Sequence, residues 1–122
     1  MPIKYINMSD KVYDVNDVHL PNDFTMSNSS EKCISVLKVR LINSNGQLDV
    51  GCCLCGDCAD ESRYSYGLMD DVIMCSTEFN EKIIHIHSPN LRRLKFWFKD
   101  YKGNNITSSD NYYYTLELKL IY

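Results

Sequence analysis

The sequence lacks any apolar run near the ~18 residues that a membrane-spanning helix needs. Its first residues, Met1-Pro2-Ile3-Lys4-Tyr5-Ile6-Asn7, lack the apolar core of a secretory signal, so the expectation is a soluble, non-secreted protein. It has no surplus of basic charge: 13 Lys and Arg stand against 16 Asp and Glu, a net charge of −3, which argues against a general nucleic-acid coat. No segment keeps a 3.6-residue apolar period over three turns, which excludes a helical architecture. There is no G-x-S-x-G, P-loop, Rossmann glycine fingerprint or H-E-x-x-H, so nothing marks an enzyme. Asp70-Asp71 is a carboxylate pair, but neighbours on a strand point to opposite faces, which makes it a poor acid/base pair. Three sequon matches, at Asn7, Asn28 and Asn105, are chance matches in an Asn-rich, non-secreted chain.

What is present is a chain of 122 residues, 44% hydrophobic and 24% charged, which is one globular domain rather than a disordered segment. Residues 1–31 hold five acidic side chains against Lys4 and Lys11, while the remainder sums to zero charge. Their apolar residues are scattered among Asn, Asp and Ser. They read as an extended acidic arm with one short strand, ending at Ser27-Asn28-Ser29-Ser30 and able to lie on a neighbouring subunit; a partly disordered terminus is the plain alternative.

Residues 32–122 form the folded domain, and there the period is two. Cys33 to Ile42 alternates, Asn43-Ser44-Asn45-Gly46 supplies turn chemistry, and Gln47–Leu54, Leu68–Cys75 and Lys82–His87 read as further strands. The clearest strands come last. In Leu91–Lys99, Leu94, Phe96 and Phe98 share one face, opposed by Arg93, Lys95, Trp97 and Lys99. In Tyr112–Tyr122, Tyr112, Tyr114, Leu116, Leu118, Leu120 and Tyr122 form an apolar stripe. Seven or eight such strands with one apolar face predict an all-β fold: a single antiparallel β-sandwich, jelly-roll-like, or else a small barrel.

Three residue groups are candidates for function. Cys52, Cys53, Cys55 and Cys58 crowd into seven residues, with Cys33 and Cys75 elsewhere. Cys53, Cys55 and Cys58, completed by His85 and His87, could hold one zinc ion, since Gly56-Asp57 offers a tight turn between thiolates. One knuckle is less than the two a strong zinc signature has, however. Disulfide bonding allows 15 pairings of six cysteines but needs an oxidising compartment. Reduced, partly buried thiols acting as small hydrophobes are the preferred assignment. A thioredoxin-type role for Cys55-Gly56-Asp57-Cys58 fails because no βαβ pattern surrounds it. His85-Ile86-His87 resembles a cupin metal-binding strand, but Ser88-Pro89-Asn90-Leu91-Arg92 follows where cupins have a Glu, and the only other His, His19, lies far upstream. The third group is Arg93, Lys95, Trp97 and Lys99, a flat aromatic among cations. Such a face can stack bases and neutralise phosphate, or anchor a protein partner. Protein contact ranks above nucleic acid or another acidic partner, because the overall charge is negative and no RNP1 pattern is present.

The C-terminal third, Ser88-Pro89-Asn90-Leu91, then Leu94-Lys95-Phe96-Trp97-Phe98-Lys99-Asp100-Tyr101-Lys102-Gly103-Asn104, then Tyr114-Thr115-Leu116-Glu117-Leu118, resembles a recurring ending. Similar runs occur in small β-sandwich structural proteins of double-stranded DNA viruses, the polinton-like and adintovirus-like elements, among their minor capsid and penton-type proteins. The likeness spans Ile83 to Tyr122. It implies a non-enzymatic, assembly-forming component of a virion, present in host cytoplasm or nucleus before assembly, that contacts capsid neighbours or copies of itself without a cofactor. It carries over no binding residue.

Overall fold

The computed structural model describes residues 2–59, 65–67, 73–75, 81–85 and 92–122. Among them the order of elements is β1 (Ile3–Lys11), β2 (Asn16–His19), a one-turn helix α1 (Asn22–Thr25), β3 (Cys33–Ile42), β4 (Cys53–Ala59), β5 (Ser65–Gly67), β6 (Ile73–Met74), β7 (Lys82–His85), β8 (Arg93–Lys99) and β9 (Tyr113–Ile121). The protein is all-β, as the period-two patterning predicts. No helix among the described residues is long and apolar enough to cross a membrane.

The strands make two antiparallel sheets. One runs β1-β9-β3-β7; the other runs β2-β8-β4-β5, with β6 also paired to β4. The pairing is nested: β1 with β9, β2 with β8, β3 with β7, and β4 with β5 and β6. Two further ladders, β3 with β9 and β4 with β8, close the order within each sheet. Both sheets contribute to one core. Ile34, Val36, Val39, Leu41, Leu116, Leu118 and Leu120 come from the first, and Leu54, Leu94, Phe96 and Phe98 from the second. Burial of each such side chain contributes roughly 1.5–3 kcal/mol.

Two local devices set the register. In β3 the ladder to β9 passes from Val36↔Leu118 to Lys38↔Glu117, so Leu37 is an extra, bulged residue. The bulge changes the phase of alternation, which is why even-numbered Ile34 and Val36 and odd-numbered Val39 and Leu41 are all buried. After β3, Asn43 Oδ1 accepts the N–H groups of Asn45 at 3.0 Å and Gln47 at 3.1 Å, and Gly46 takes φ +79°. The strand expected at Gln47–Leu54 is mostly absent. Leu48 makes a single bridge to Ile42, and the chain then crosses to the other sheet before β4 begins at Cys53. Of the other expected strands, residues 68–72, 86–87 and 91 lie outside the described residues.

The expected N-terminal arm is a correction. Residues 1–31 are not set apart from the domain. β1 runs nine residues beside β9, β2 borders β8, and Val12, Leu20 and Phe24 are buried in the shared core. The polar look of β1 is that of an edge strand, of which only Ile6 and Met8 touch the core. Beyond α1, Lys32 is only 3% exposed; its Nζ donates to the carbonyls of Thr25 at 3.1 Å and Ser27 at 3.4 Å and sits 4.8 Å above the Phe24 ring. That anchor ties the end of the segment to the helix.

Candidate partner-contact face

β8 lies between β2 and β4, with Leu94, Phe96 and Phe98 buried and Arg93, Lys95, Trp97 and Lys99 half-buried on the opposite side. The inward ring contacts fix this phase. Phe96 meets Tyr114 edge-on at 5.2 Å, Phe98 meets Tyr114 at 5.8 Å, and Phe96 meets Phe98 at 6.0 Å. A one-residue slip would drive Lys95 and Lys99 into the core, so the outward row is strongly specified.

The neighbouring strands frame that row. Cys53 stands opposite Lys99, Cys55 opposite Trp97 and Asp57 opposite Lys95 along β4; Asp17 stands opposite Lys95 and His19 opposite Arg93 along β2. Arg93 Nη1 donates to Asp17 Oδ2 at 3.4 Å. A part-exposed pair of this kind contributes little to stability but turns the guanidinium toward β2. Lys95 and Lys99, on either side of Trp97, have no ion-pair partner among the described residues. On the other sheet, by contrast, Lys38 pairs with Glu117 at 3.9 Å and Lys119 with Glu81 at 3.0 Å. The face continues into the turn after β8. There Asp100 Oδ1 accepts the N–H groups of Lys102 and Asn104, both at 2.9 Å, Gly103 takes φ +84°, and Tyr101 is left 77% exposed beneath the Lys102 ammonium. Tyr101 was not singled out by the sequence pattern. Its signal is the D-x-x-G-N turn, which projects the residue after Asp100 outward.

The described candidate zinc ligands come from two sheets, Cys53, Cys55 and Cys58 from β4 and His85 from β7. Cys53 and Cys55 are half-buried and in register with the outward residues Lys99 and Trp97, whereas Cys58 is in register with the inward Leu94. His85 belongs to β7 of the other sheet, opposite Cys33, and His87 lies outside the described residues. Among the described residues no three His, Cys, Asp or Glu groups stand close enough to hold a metal ion.

The remaining thiols belong to the interior. Cys52 and Cys75 are buried, and the Cys75 N–H donates to the Cys52 carbonyl at 2.9 Å. Burial pushes the Cys52 thiol up to about 12, with the Asp49 carboxylate adding to it, and pushes Cys75 up to about 12, with Cys52 as the next cause. Burial also raises Cys33. Thiols held protonated in this way are poor nucleophiles and poor metal ligands at neutral pH. Asp49 organises this corner: its Oδ2 accepts the Tyr112 hydroxyl at 2.9 Å and its Oδ1 the Gly51 N–H at 3.3 Å. Burial first, then this hydrogen bond, pushes the Tyr112 phenol up to about 12. Sequence patterning gave no signal for the Asp49–Tyr112 pair, whose members are far apart in the chain. The shallow depression beside them, lined by Arg40, Leu41, Leu48, Asp49, Val50 and Cys75, has no interior volume that a small molecule could fill.

No protein-family model matches the chain, and neither does any curated protein sequence.

Proposed function

We propose that this chain is a non-enzymatic structural protein that makes protein–protein contacts in an assembly, as a minor capsid or cement component of a virion would. The observation that carries the contact role is Trp97, half-buried at the middle of an outer sheet face between two cations without ion-pair partners among the described residues. Trp and Arg are the commonest anchors of protein interfaces, and a half-buried indole supplies large area at small entropic cost. The nested strand order, first with last and so inward, supports reading the two sheets as a jelly-roll sandwich, an architecture shared by viral capsid proteins, lectins and cupins. The C-terminal resemblance favours the first of these.

A nucleic-acid or other acidic partner is the second reading, and the same cations favour it. Asp17, at the register position beside Lys95 and paired with Arg93, weighs against it, because it makes the face mixed in charge rather than uniformly basic. Native mass spectrometry of the full chain with its metal content, repeated on Trp97→Ala, tests the first reading. An assembly larger than a dimer that Trp97→Ala dissolves supports it. A wild-type protein that forms no such assembly, and instead binds a DNA or RNA duplex with steep salt dependence, would replace it with the second.

A further inference from the structure

Among the described residues β1 is a free edge, and the phase of its backbone is fixed by contacts just beyond its ends. Tyr122 N–H donates to the Pro2 carbonyl at 3.1 Å, and Val12 N–H donates to the Tyr112 carbonyl at 2.8 Å. Both pairs continue the register that sets Ile3 opposite Ile121 and Lys11 opposite Tyr113. In an antiparallel ladder, directly opposed residues alternate between hydrogen-bonded and non-hydrogen-bonded pairs. Pro2 and Val12 therefore assign the even positions Lys4, Ile6, Met8 and Asp10 to the bonds with β9. Ile3, Tyr5, Asn7, Ser9 and Lys11 turn their N–H and C=O groups away from the sheet, where β1 is the last strand.

Such an edge is a template for another strand, and proteins normally blunt it with proline, bulges, short length or charged side chains. β1 uses only the last of these, in Lys4, Asp10 and Lys11. It is nine residues long, its ladder to β9 is unbroken, no proline lies within it, and Ile3 and Tyr5 are 54% and 65% exposed. Two of those three charges are placed symmetrically. With Asn7 as centre, Lys4 and Asp10 are equidistant on either side, as are Ile6 and Met8, and Tyr5 and Ser9.

We propose that β1 pairs antiparallel with β1 of a second copy of this chain about a two-fold axis at Asn7, joining the two β1-β9-β3-β7 sheets into one. In that register the outward-turned residues meet one another, Asn7 with Asn7, Tyr5 with Ser9 and Ile3 with Lys11, giving about ten backbone hydrogen bonds. Lys4 faces Asp10 of the partner subunit, twice by symmetry. Ile6 faces Met8 of the partner subunit and extends the apolar layer under the joined sheet. The pairing is isologous and closes at two copies. Other charged groups nearby are compatible. Lys4 Nζ lies 3.6 Å from Asp23 Oδ1 with both side chains about half exposed, and Asp10 Oδ1 accepts the Lys11 N–H at 2.7 Å. The pairing uses neither Trp97 nor the outer face of β8, so it stands or falls apart from the function proposed above.

Sedimentation velocity on the full chain tests it. The wild type is expected to be a dimer. Asn7→Pro removes an outward N–H while sparing every bond to β9, so it is expected to give a monomer with unchanged far-UV circular dichroism. Asp10→Lys places like charges opposite each other at both symmetric positions and is expected to raise the dimer dissociation constant about tenfold. Combining it with Lys4→Asp restores the opposition and should return the constant to near the wild-type value. Should the proline variant fail to fold, the charge series decides alone. A wild type that stays monomeric at every accessible concentration would overturn the proposal. So would a dimer indifferent to Asn7→Pro, or a double variant no better than Asp10→Lys. Trp97→Ala is expected to leave the dimer intact, which separates the edge from the outer face.

Discussion

Phe96 of β8 meets Tyr114 of β9 edge-on across the space between the two sheets, with ring centroids 5.2 Å apart. The contact joins the middles of both sheets and fixes which side of β8 looks outward. Phe96→Ala is expected to cost about 3–5 kcal/mol, because it opens a cavity on which both sheets depend. Trp97→Ala, one residue away, removes a half-buried ring from an outer face where water can fill the space. It is expected to cost roughly 1–2 kcal/mol. Urea unfolding of the two variants checks the order, and equal losses would mean that the phase of β8 is wrong.

Deleting residues 1–31 is expected to unfold the protein rather than to free it of an appendage. The deletion strips the nine-residue β1 ladder from β9 and withdraws Val12, Leu20 and Phe24 from the core. At roughly 1.5–3 kcal/mol for each buried side chain, the loss rivals the ~5–15 kcal/mol stability of an ordinary domain. The amide proton spectrum of residues 32–122 reads the result directly. A well-dispersed spectrum would restore the arm.

The buried acids of the Asp49 corner predict an alkaline limit to stability. Cys52 and Cys75 rise from 9.0 to about 12 in the folded chain, and Tyr112 from 10.0 to about 12, each chiefly through burial. Above pH 9 the unfolded chain loses protons that the folded chain keeps. The contribution of these groups is therefore complete below pH 9 and is lost progressively as pH rises toward 12. A melting temperature that holds up to pH 9 and then falls is expected, with a shallower fall in Cys52→Val/Cys75→Val. Iodoacetamide at pH 8 should modify the half-buried Cys53 in the native protein and reach Cys52 and Cys75 only on unfolding.

Tyr122 donates its hydroxyl to the Asp23 carboxylate, and this bond is the main reason Asp23 is held below its ordinary value of 3.8, with Lys4 a smaller influence. A carboxyl depressed in the fold adds stability above its unfolded value, and that stability is lost as pH falls through the lowered one. In Tyr122→Phe the ring keeps its edge-on contact with Phe24 at 5.4 Å, but the hydrogen bond is gone. The Asp23 titration, followed by carboxyl NMR, is expected to move up toward 3.8. An unmoved titration would assign the depression to Lys4 instead.

The period-two pattern by itself determined the all-β class, the phase of β8, the apolar stripe of β9 and the Asn- and Gly-bearing turns at 43–46 and 100–104. It also placed Trp97 on one face with Arg93, Lys95 and Lys99. Each of these is local: a strand with one face in the core must alternate, and a turn needs residues that tolerate its backbone. Tertiary structure alone decided that Ile3–Lys11 is a strand, since an edge strand with two core contacts need not alternate cleanly and its partner lies at the other end of the chain. It likewise decided the bulge at Leu37, the burial of Lys32, the joining of Asp49 to Tyr112, and the placing of Cys53, Cys55 and Cys58 in one sheet and His85 in the other. Nested pairing brings together residues most distant in sequence, and no local pattern encodes which distant strand will be the neighbour.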